Sequence, residues 1–266
     1  YDDYLNAQVE IGDKQTALVG YNEVVNYYFD SLEDKNQNTK KEIKLLAIGD
    51  SLLSEAFFYA PIMMREMFPY INLVVGVAYE GYSESSNPPQ GSLPAFLTYL
   101  TTYKNHNVSY FRYSSDANNW GSPIPTTMEQ ILTDKDWDVV VIRVNTGIGI
   151  TTSGPVAIGE NNTDVYVNGY EGNYDYNNIV DRLRDAIMRI VEKPVKFGGL
   201  IPQKKPTFNT TDTEASVLAR MDADLARVCE VAEYYTEKSM FDFILPEGTA
   251  MQNARHIPEI NVFGDL

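Results

Sequence analysis

The sequence predicts an α/β protein, a three-layer α/β/α sandwich with about five mainly parallel strands. From Lys44 onward, short apolar runs alternate with longer segments of helical period, as expected of a parallel sheet covered by helices on both faces. The chain has 266 residues, 44% of them hydrophobic, which is enough to form one sizeable core. Five apolar runs are the predicted strands: Lys44 to Ile48, Asn72 to Tyr79, Asp138 to Val144, Val195 to Ile201 and Phe241 to Leu245.

The first 43 residues are predicted to form an N-terminal arm and linker, ahead of a main domain over residues 44–266. This segment is rich in Tyr and Asn, has one predicted helix around residues 22–32, and ends in a polar run over residues 33–42. It carries no motif associated with chemistry. We therefore expect an arm that packs on the main domain or contacts a protein partner.

Helices are predicted from capping signals and from the spacing of apolar residues. Thr126 followed by Glu129 forms a capping box for a short helix ending near Thr133, and Thr211 with Glu214 repeats the signal. Apolar stripes mark the core faces of two longer helices. The first stripe is Tyr176, Ile179, Val180, Leu183, Ile187 and Ile190, and the second is Val217, Met221, Leu225, Val228 and Ala232.

Two segments are expected to depart from the regular alternation. Pro61 interrupts the segment after the first strand, so the helix there is predicted to start late or to bend. The stretch from Val108 to Trp120 has the pattern of a hairpin and is predicted to lie outside the sheet.

The composition excludes several classes of function. Asp and Glu number 37 against 21 Lys and Arg, a formal charge of −16, so a nucleic-acid partner is not expected. No stretch approaches the ~20 apolar residues of a membrane span. The single cysteine, Cys229, excludes an internal disulfide and is predicted to be a buried structural thiol. With two histidines and no cofactor motif, neither a metal site nor a cofactor is expected.

The loop after the first strand is the best candidate for chemistry. Ligands of an open parallel sheet bind beyond the carboxyl ends of its strands, and this loop reads Ile48, Gly49, Asp50, Ser51. A serine at a helix N-terminus has a backbone N–H that can hold an oxyanion. Helix capping by Asp50 or Ser51 explains the same residues, so the tetrapeptide alone leaves both interpretations open.

Four segments together resemble the SGNH, or GDSL, hydrolases, and most closely a bacterial branch of that superfamily. They are I-G-D-S at 48–51, Y-E-G-Y-S at 79–83, D-W-D-V at 136–139 and G-T-A-M-Q-N-A-R at 248–255. Their order and spacing agree over about residues 44–266, and the octapeptide is the most specific. The resemblance implies a flavodoxin-like sandwich and a serine esterase that acts on an acylated carbohydrate outside the cell or in the periplasm.

The resemblance also implies roles for four residues. Ser51 matches the catalytic nucleophile, and its N–H together with that of Gly81 matches the oxyanion hole. A tight turn is the alternative explanation for Gly81. Asn145 matches a third oxyanion donor, although the closer branch has glutamines nearby. Arg143 is expected to bind an anionic substrate group or to pair with an acid.

The general base of these hydrolases has no counterpart in the sequence. Relatives carry an Asp-x-x-His motif whose histidine takes the serine proton, and here the sequence stops at residues 264–266, where that motif would follow. His256 and His106 do not stand at the motif position. Either the C-terminal part is missing or the base was lost. We expect the first, because a final helix should follow the fifth strand and the sequence ends without one.

The missing base leaves two functions open. As an esterase without its base, the 266-residue chain should be a poor hydrolase even if a longer parent is a good one. The alternative is a non-catalytic carbohydrate-binding or structural subunit on the same scaffold. The chain begins at Tyr1 without a methionine, which indicates a processed form or a fragment.

Overall fold

A computed structural model describes residues 41–68, 71–81, 83, 88, 90–114, 119–143, 148–151, 154–157, 176–201 and 210–257. The strands in this part of the chain are β1 (Lys41–Gly49), β2 (Ile71–Tyr79), β3 (Asn107–Ser114), β4 (Asn119–Trp120), β5 (Ile124–Thr127), β6 (Val139–Arg143), β7 (Ile148–Thr151), β8 (Gly154–Ala157), β9 (Lys196–Leu200) and β10 (Phe243–Leu245). The helices are α1 (Ser51–Met67), α2 (Leu93–Thr101), α3 (Met128–Thr133), α4 (Tyr176–Met188), α5 (Glu214–Glu237) and α6 (Glu247–Arg255).

The central sheet confirms the predicted α/β/α architecture. Its order is β10-β9-β6-β1-β2-β3-β4, and the first five strands of that order are parallel. These five are the predicted strands, with ends that differ by up to three residues. β1 begins at Lys41, inside the polar run predicted as a linker. Long apolar runs identify such strands reliably because both faces of a parallel sheet are buried.

The prediction that residues 108–120 lie outside the sheet is wrong. β3 pairs antiparallel with β2, from Gly76 opposite Arg112 to Tyr79 opposite Ser109, and β4 and β5 pair with β3 in turn. Without β3 the outer edge of β2 would present unpaired backbone groups. Val108 and Tyr110 are each 3% exposed, so this strand also completes the core. β7 and β8 form a separate two-stranded hairpin.

Capping boxes begin both helices, but at other residues than predicted. The α3 box uses Thr127, the last residue of β5, and Gln130, one residue later than predicted. The α5 box uses Thr213 and Ser216, and its Ser216 N–H donates to Thr213 Oγ1 over 3.2 Å. In each case the helix begins where its apolar residues reach the core. Burial of these residues therefore decides at which residue the helix starts.

The first helix starts immediately after β1. It begins at Ser51 and continues through Pro61, so the prediction of a late start is wrong. The Ser54 N–H donates to the Asp50 carbonyl over 3.0 Å, which forms the first turn directly at the strand end. This places residue 51 at the beginning of the helix, ten residues before the proline could disturb it.

The core lies on both faces of the sheet. Ala47, Val75 and Val77 pack with Leu53 and Phe57 of α1 on one face. The other face packs against α2 to α5 and buries most of the first stripe together with Val228 and Ala232 of the second. Val217 and Met221 are also buried, in a separate small cluster. Leu225 and Ile190 are only partly buried, and the side chain of Tyr176 lies outside the described residues.

Cys229 corrects one further prediction. It packs against the core but is half-buried, with Sγ 3.8 Å from Thr249 Oγ1. Residues 41–266 group as one compact unit, whereas the predicted arm lies outside the described residues apart from positions 41–43. None of the described helices combines the length and apolar content needed to cross a membrane.

Candidate active site

The strand register brings the predicted site segments to one edge of the sheet. Gly49 of β1 pairs with Tyr79 of β2, so Ser51 and Gly81 each lie two residues beyond this pair. The pairing continues past the strands, because the Glu80 N–H donates to the Gly49 carbonyl over 3.1 Å. The carboxyl ends of β1 and β2 therefore place both predicted oxyanion segments side by side. Asn145, the third predicted donor, lies outside the described residues.

Ser51, the predicted nucleophile, lies directly beyond the carboxyl end of β1. It is exposed and is the first residue of α1. The backbone N–H groups of a first helical turn have no partner inside the helix and carry partial positive charge. In the described part of the chain, no side chain hydrogen-bonds to the Ser51 hydroxyl. The geometry supplies an accessible hydroxyl beside oriented N–H donors.

A buried ion pair lies next to this serine. Arg143 Nη1 is 2.6 Å from Asp50 Oδ2, with 12% and 4% of the two side chains exposed. Of the two expectations for Arg143, the observed contact is the pairing with an acid, and binding of a substrate anion stays a prediction. The guanidinium offsets the Asp50 charge, which would otherwise oppose a developing oxyanion at Ser51.

Gly81 is exposed, and neither the described residues around it nor backbone strain requires a glycine there. Among the described residues, a Cβ at this position would meet the Tyr79 hydroxyl, at an ordinary 3.5 Å. Among the described glycines Gly91 has the positive φ, 72°, so Gly81 is not in the left-handed region that favours glycine. Without a side chain at this position, a substrate carbonyl could approach the backbone closely.

The residue before Gly81 makes a network that the sequence analysis did not identify. The Glu80 carboxylate accepts hydrogen bonds from the Gly91 N–H at 2.9 Å and the Tyr99 hydroxyl at 2.8 Å. His106 Nε2 lies 2.8 Å from its other oxygen. The Tyr99 and His106 rings stack with centroids 3.9 Å apart. These partners are 11 to 26 residues away in sequence, so no local pattern indicates the network.

The octapeptide over residues 248–255 forms most of α6, which follows the fifth parallel strand, β10. The expectation that no helix follows this strand is therefore wrong. The Gly248 N–H donates to the Ile201 carbonyl over 2.7 Å, which fixes the helix start just beyond β9. Farther along, Gln252 Nε2 donates to Asp222 Oδ1 of α5 over 2.7 Å. Gln252 and Arg255 are each 3% exposed, and Arg255 Nη1 donates to Gln252 Oε1 over 3.0 Å. The most specific segment of the sequence thus docks α6 on the rest of the domain.

His256 belongs to the same junction between α5 and α6. Its Nε2 is 2.9 Å from Asp222 Oδ1, and the two side chains are 50% and 44% exposed. Burial alone would raise the pKa of Asp222, but hydrogen bonds from His256 and Gln252 outweigh it and lower the pKa. Both histidines of the chain are therefore engaged with carboxylates, His106 with Glu80 and His256 with Asp222.

The described residues contain no group of three or more His, Cys, Asp or Glu side chains placed to hold an ion. The residues around Ser51 suit covalent chemistry at a carbonyl. They combine an exposed hydroxyl, adjacent backbone donors and a neutralised acid.

Comparison with known proteins supports the fold. No family model matches the chain, and no curated protein matches it. A solved structure of a DUF4886 family protein from Bacteroides uniformis is similar, with a TM-score of 0.52 and 17% sequence identity. The match covers 81% of this chain and 71% of that chain. At this identity the likeness establishes a shared fold, and membership of the SGNH superfamily stays a prediction.

Proposed function

We propose that the protein is an SGNH-type serine ester hydrolase that acts on an acylated carbohydrate, with Ser51 as its nucleophile. One observation carries the proposal. The Ser51 hydroxyl is exposed at the first residue of a helix that starts directly at the carboxyl end of the central strand β1. Ligands of open α/β sheets bind at that edge, and a helix N-terminus stabilises negative charge there.

The reaction would proceed through an acyl-enzyme. Ser51 Oγ attacks the ester carbonyl while a histidine base takes its proton, and the resulting oxyanion accepts hydrogen bonds from the N–H groups of Ser51 and Gly81. Asn145 is the candidate third donor. The tetrahedral intermediate collapses as the C–O bond to the sugar breaks and the protonated histidine gives its proton to the departing sugar oxygen. Water then attacks acyl-Ser51, which releases the carboxylic acid and restores the serine.

The base of this reaction is proposed to come from an Asp-x-x-His segment beyond residue 266. Both histidines of the present sequence hydrogen-bond to carboxylates, and neither has a described contact with Ser51. The 266-residue chain is accordingly expected to react slowly, and a chain extended by that segment is expected to react faster.

The carbohydrate part of the proposal rests on aromatic side chains. The chain has 19 tyrosines, and tyrosine combines a flat apolar ring with a hydroxyl that suits sugar recognition. Tyr79 is half-buried at the end of β2, with its hydroxyl near Gly81. It is therefore a candidate donor to a sugar bound over the oxyanion segments.

Covalent labelling tests the proposal. The 266-residue chain, the extended chain and its Ser51→Ala variant are each treated with a serine-directed phosphonate, and the modified peptide is identified by mass spectrometry. The extended chain should be labelled at Ser51 and should release acetate from an acetylated saccharide. Ser51→Ala should lose both activities and keep its fold, since removal of a hydroxyl at an exposed helix start costs only about 1 kcal/mol.

Ser216→Ala is the matched control, because Ser216 is another exposed serine in the first turn of a helix. This variant should be labelled like the parent. If the extended chain neither labels nor hydrolyses a short-chain ester, the esterase proposal fails. Binding of the unmodified saccharide by that inactive chain would then support the alternative, a non-catalytic carbohydrate-binding subunit.

A further inference from the structure

Glu80 is held through both its backbone and its side chain. Its backbone N–H donates to the Gly49 carbonyl at the end of β1. Its carboxylate, with 12% of the side chain exposed, is held by Gly91, Tyr99 and His106. A residue fixed in this way has little freedom, and the next residue in the chain is Gly81.

The three partners come from separate parts of the chain. Gly91 directly precedes the N-cap of α2, Tyr99 lies within α2, and His106 lies in the turn that leads to β3. Two donors share Oε2, at 2.9 and 2.8 Å, while His106 approaches Oε1 at 2.8 Å. Because the Tyr99 and His106 rings are stacked nearly parallel, at 12°, the two side chains also hold each other in place.

The Gly91 contact closes the excursion that begins at Gly81. Ser83 and Gln90 form an antiparallel bridge, with N–H to carbonyl distances of 3.2 and 3.0 Å in the two directions. The Gly91 N–H, directly after Gln90, then donates to the carboxylate of Glu80, directly before Gly81. Both ends of the excursion therefore meet at Glu80, the residue directly before Gly81.

We propose that Glu80 is a positioning residue for the oxyanion hole, which acts by fixing the direction of the Gly81 N–H through its contacts with Gly91, Tyr99 and His106. This inference rests on the proposed function, because a Gly81 donor matters only if an oxyanion forms there. Oxyanion donors must be placed to within tenths of an ångström of the developing charge. A displacement of about 1 Å can reduce the rate on the order of a hundredfold.

Two variants of Glu80 distinguish a role in positioning the Gly81 N–H from a contribution to the stability of the fold alone. Glu80→Ala removes the acceptor for all three groups. Glu80→Gln keeps an oxygen for Gly91 and Tyr99, and its amide can donate to His106 in the ring tautomer with the proton on Nδ1. We expect Glu80→Ala to lower the second-order rate of Ser51 phosphonylation by about 10- to 100-fold. Glu80→Gln should restore most of that rate.

The matched control is Asp138→Ala at the opposite end of the sheet. Asp138 also accepts a backbone N–H, from Lys44 at 2.8 Å, and a side-chain donor, Lys193 Nζ at 2.9 Å. Its loss should lower stability without changing the labelling rate of the folded protein. Hydrogen exchange by mass spectrometry supplies a second readout, in which Glu80→Ala should speed exchange over residues 80–91 and Asp138→Ala should not.

The outcomes distinguish this inference from the proposed function. An extended parent chain that is not labelled at Ser51 overturns both. If the parent is labelled and Glu80→Ala is phosphonylated as fast as Asp138→Ala, the positioning role of Glu80 is overturned but the proposed function is not. Unchanged exchange over residues 80–91 in Glu80→Ala overturns it as well. Slow labelling together with fast local exchange and rescue by Gln supports it.

Discussion

Arg143 Nη1 lies 2.6 Å from Asp50 Oδ2, and this contact joins the ends of two neighbouring parallel strands. Asp50 directly follows β1 and directly precedes Ser51, while Arg143 is the last residue of β6. With only 4% of the Asp50 side chain exposed, little water reaches the carboxylate, and the guanidinium must compensate its charge. The pair therefore contributes both to the fold at this edge and to the electrostatics around the candidate nucleophile.

Replacing Arg143 by Met tests the stability contribution of this pair. The variant leaves the buried Asp50 carboxylate without its guanidinium, so we expect the free energy of unfolding to fall by roughly 3–5 kcal/mol. Urea denaturation measures this change. Lys193→Met is the control, because the Lys193–Asp138 pair is 42% and 41% exposed and its loss should cost at most about 1 kcal/mol. Equal effects of the two variants would contradict the prediction.

Asp138 should make stability depend on pH in acid. Burial alone would raise its pKa, but hydrogen bonds from Lys193 and from the Lys44 N–H outweigh burial and lower the pKa below the ordinary 3.8. A carboxylate whose pKa is lower in the folded state stabilises the fold above its unfolded pKa. That contribution disappears as the pH falls through the folded pKa. We therefore expect the free energy of unfolding to decrease below pH about 3.8.

The Asp138→Asn variant checks the assignment. Asparagine cannot ionise, so unfolding free energies measured between about pH 2 and pH 6 should fall less steeply with acid than those of the parent. An identical slope in the two proteins would show that other carboxylates dominate the acid dependence.

The burial of Arg255 predicts that removing its charge will not lower the free energy of unfolding. Its side chain is 3% exposed, and its Nε and Nη2 have no hydrogen-bond partner in the part of the chain that the structure describes. Burial lowers its pKa. Arg255→Met keeps much of the volume and removes the buried charge, so the change in unfolding free energy should range from neutral to a gain of about 1–4 kcal/mol. A large loss in urea denaturation would instead indicate an acceptor beyond the described residues.

The sequence predicts the parallel strands well for a physical reason. A strand buried on both faces is apolar over its buried part, and β1, β6 and β9 show this in a short window. The antiparallel edge is harder to recognise. β3 alternates polar and aromatic residues and pairs with β2 through contacts more than 29 residues apart in sequence, which no local pattern contains. The hairpin pattern of this segment can be recognised in the sequence, whereas its pairing with β2 cannot.

Helix starts and site residues also depend on contacts between distant parts of the chain, which a local sequence pattern does not contain. Thr126 and Thr127 are adjacent, so two overlapping capping signals compete, and the burial of Met128 and Ile131 selects the later one. Ser51 and Gly81 could be placed at one edge because each follows a recognisable strand. The role of Glu80 could not be foreseen, since its contact with His106 depends on how α2 returns to the sheet.

His256 provides the last prediction, which concerns the identity of the base. Its Nε2 contacts Asp222 Oδ1, an oxygen that also accepts from Gln252, so the ring belongs to the junction of α5 and α6. If this histidine were the base for Ser51, His256→Gln would abolish phosphonate labelling as completely as Ser51→Ala. We expect His256→Gln to leave the labelling rate within about twofold of the parent, because loss of a half-exposed contact costs at most about 1 kcal/mol of stability. Labelling rates of the extended chain, His256→Gln and Ser51→Ala, measured at one pH, decide the question. Loss of labelling in His256→Gln with an unchanged circular dichroism spectrum would assign the base to His256 and remove the need for a histidine from beyond residue 266.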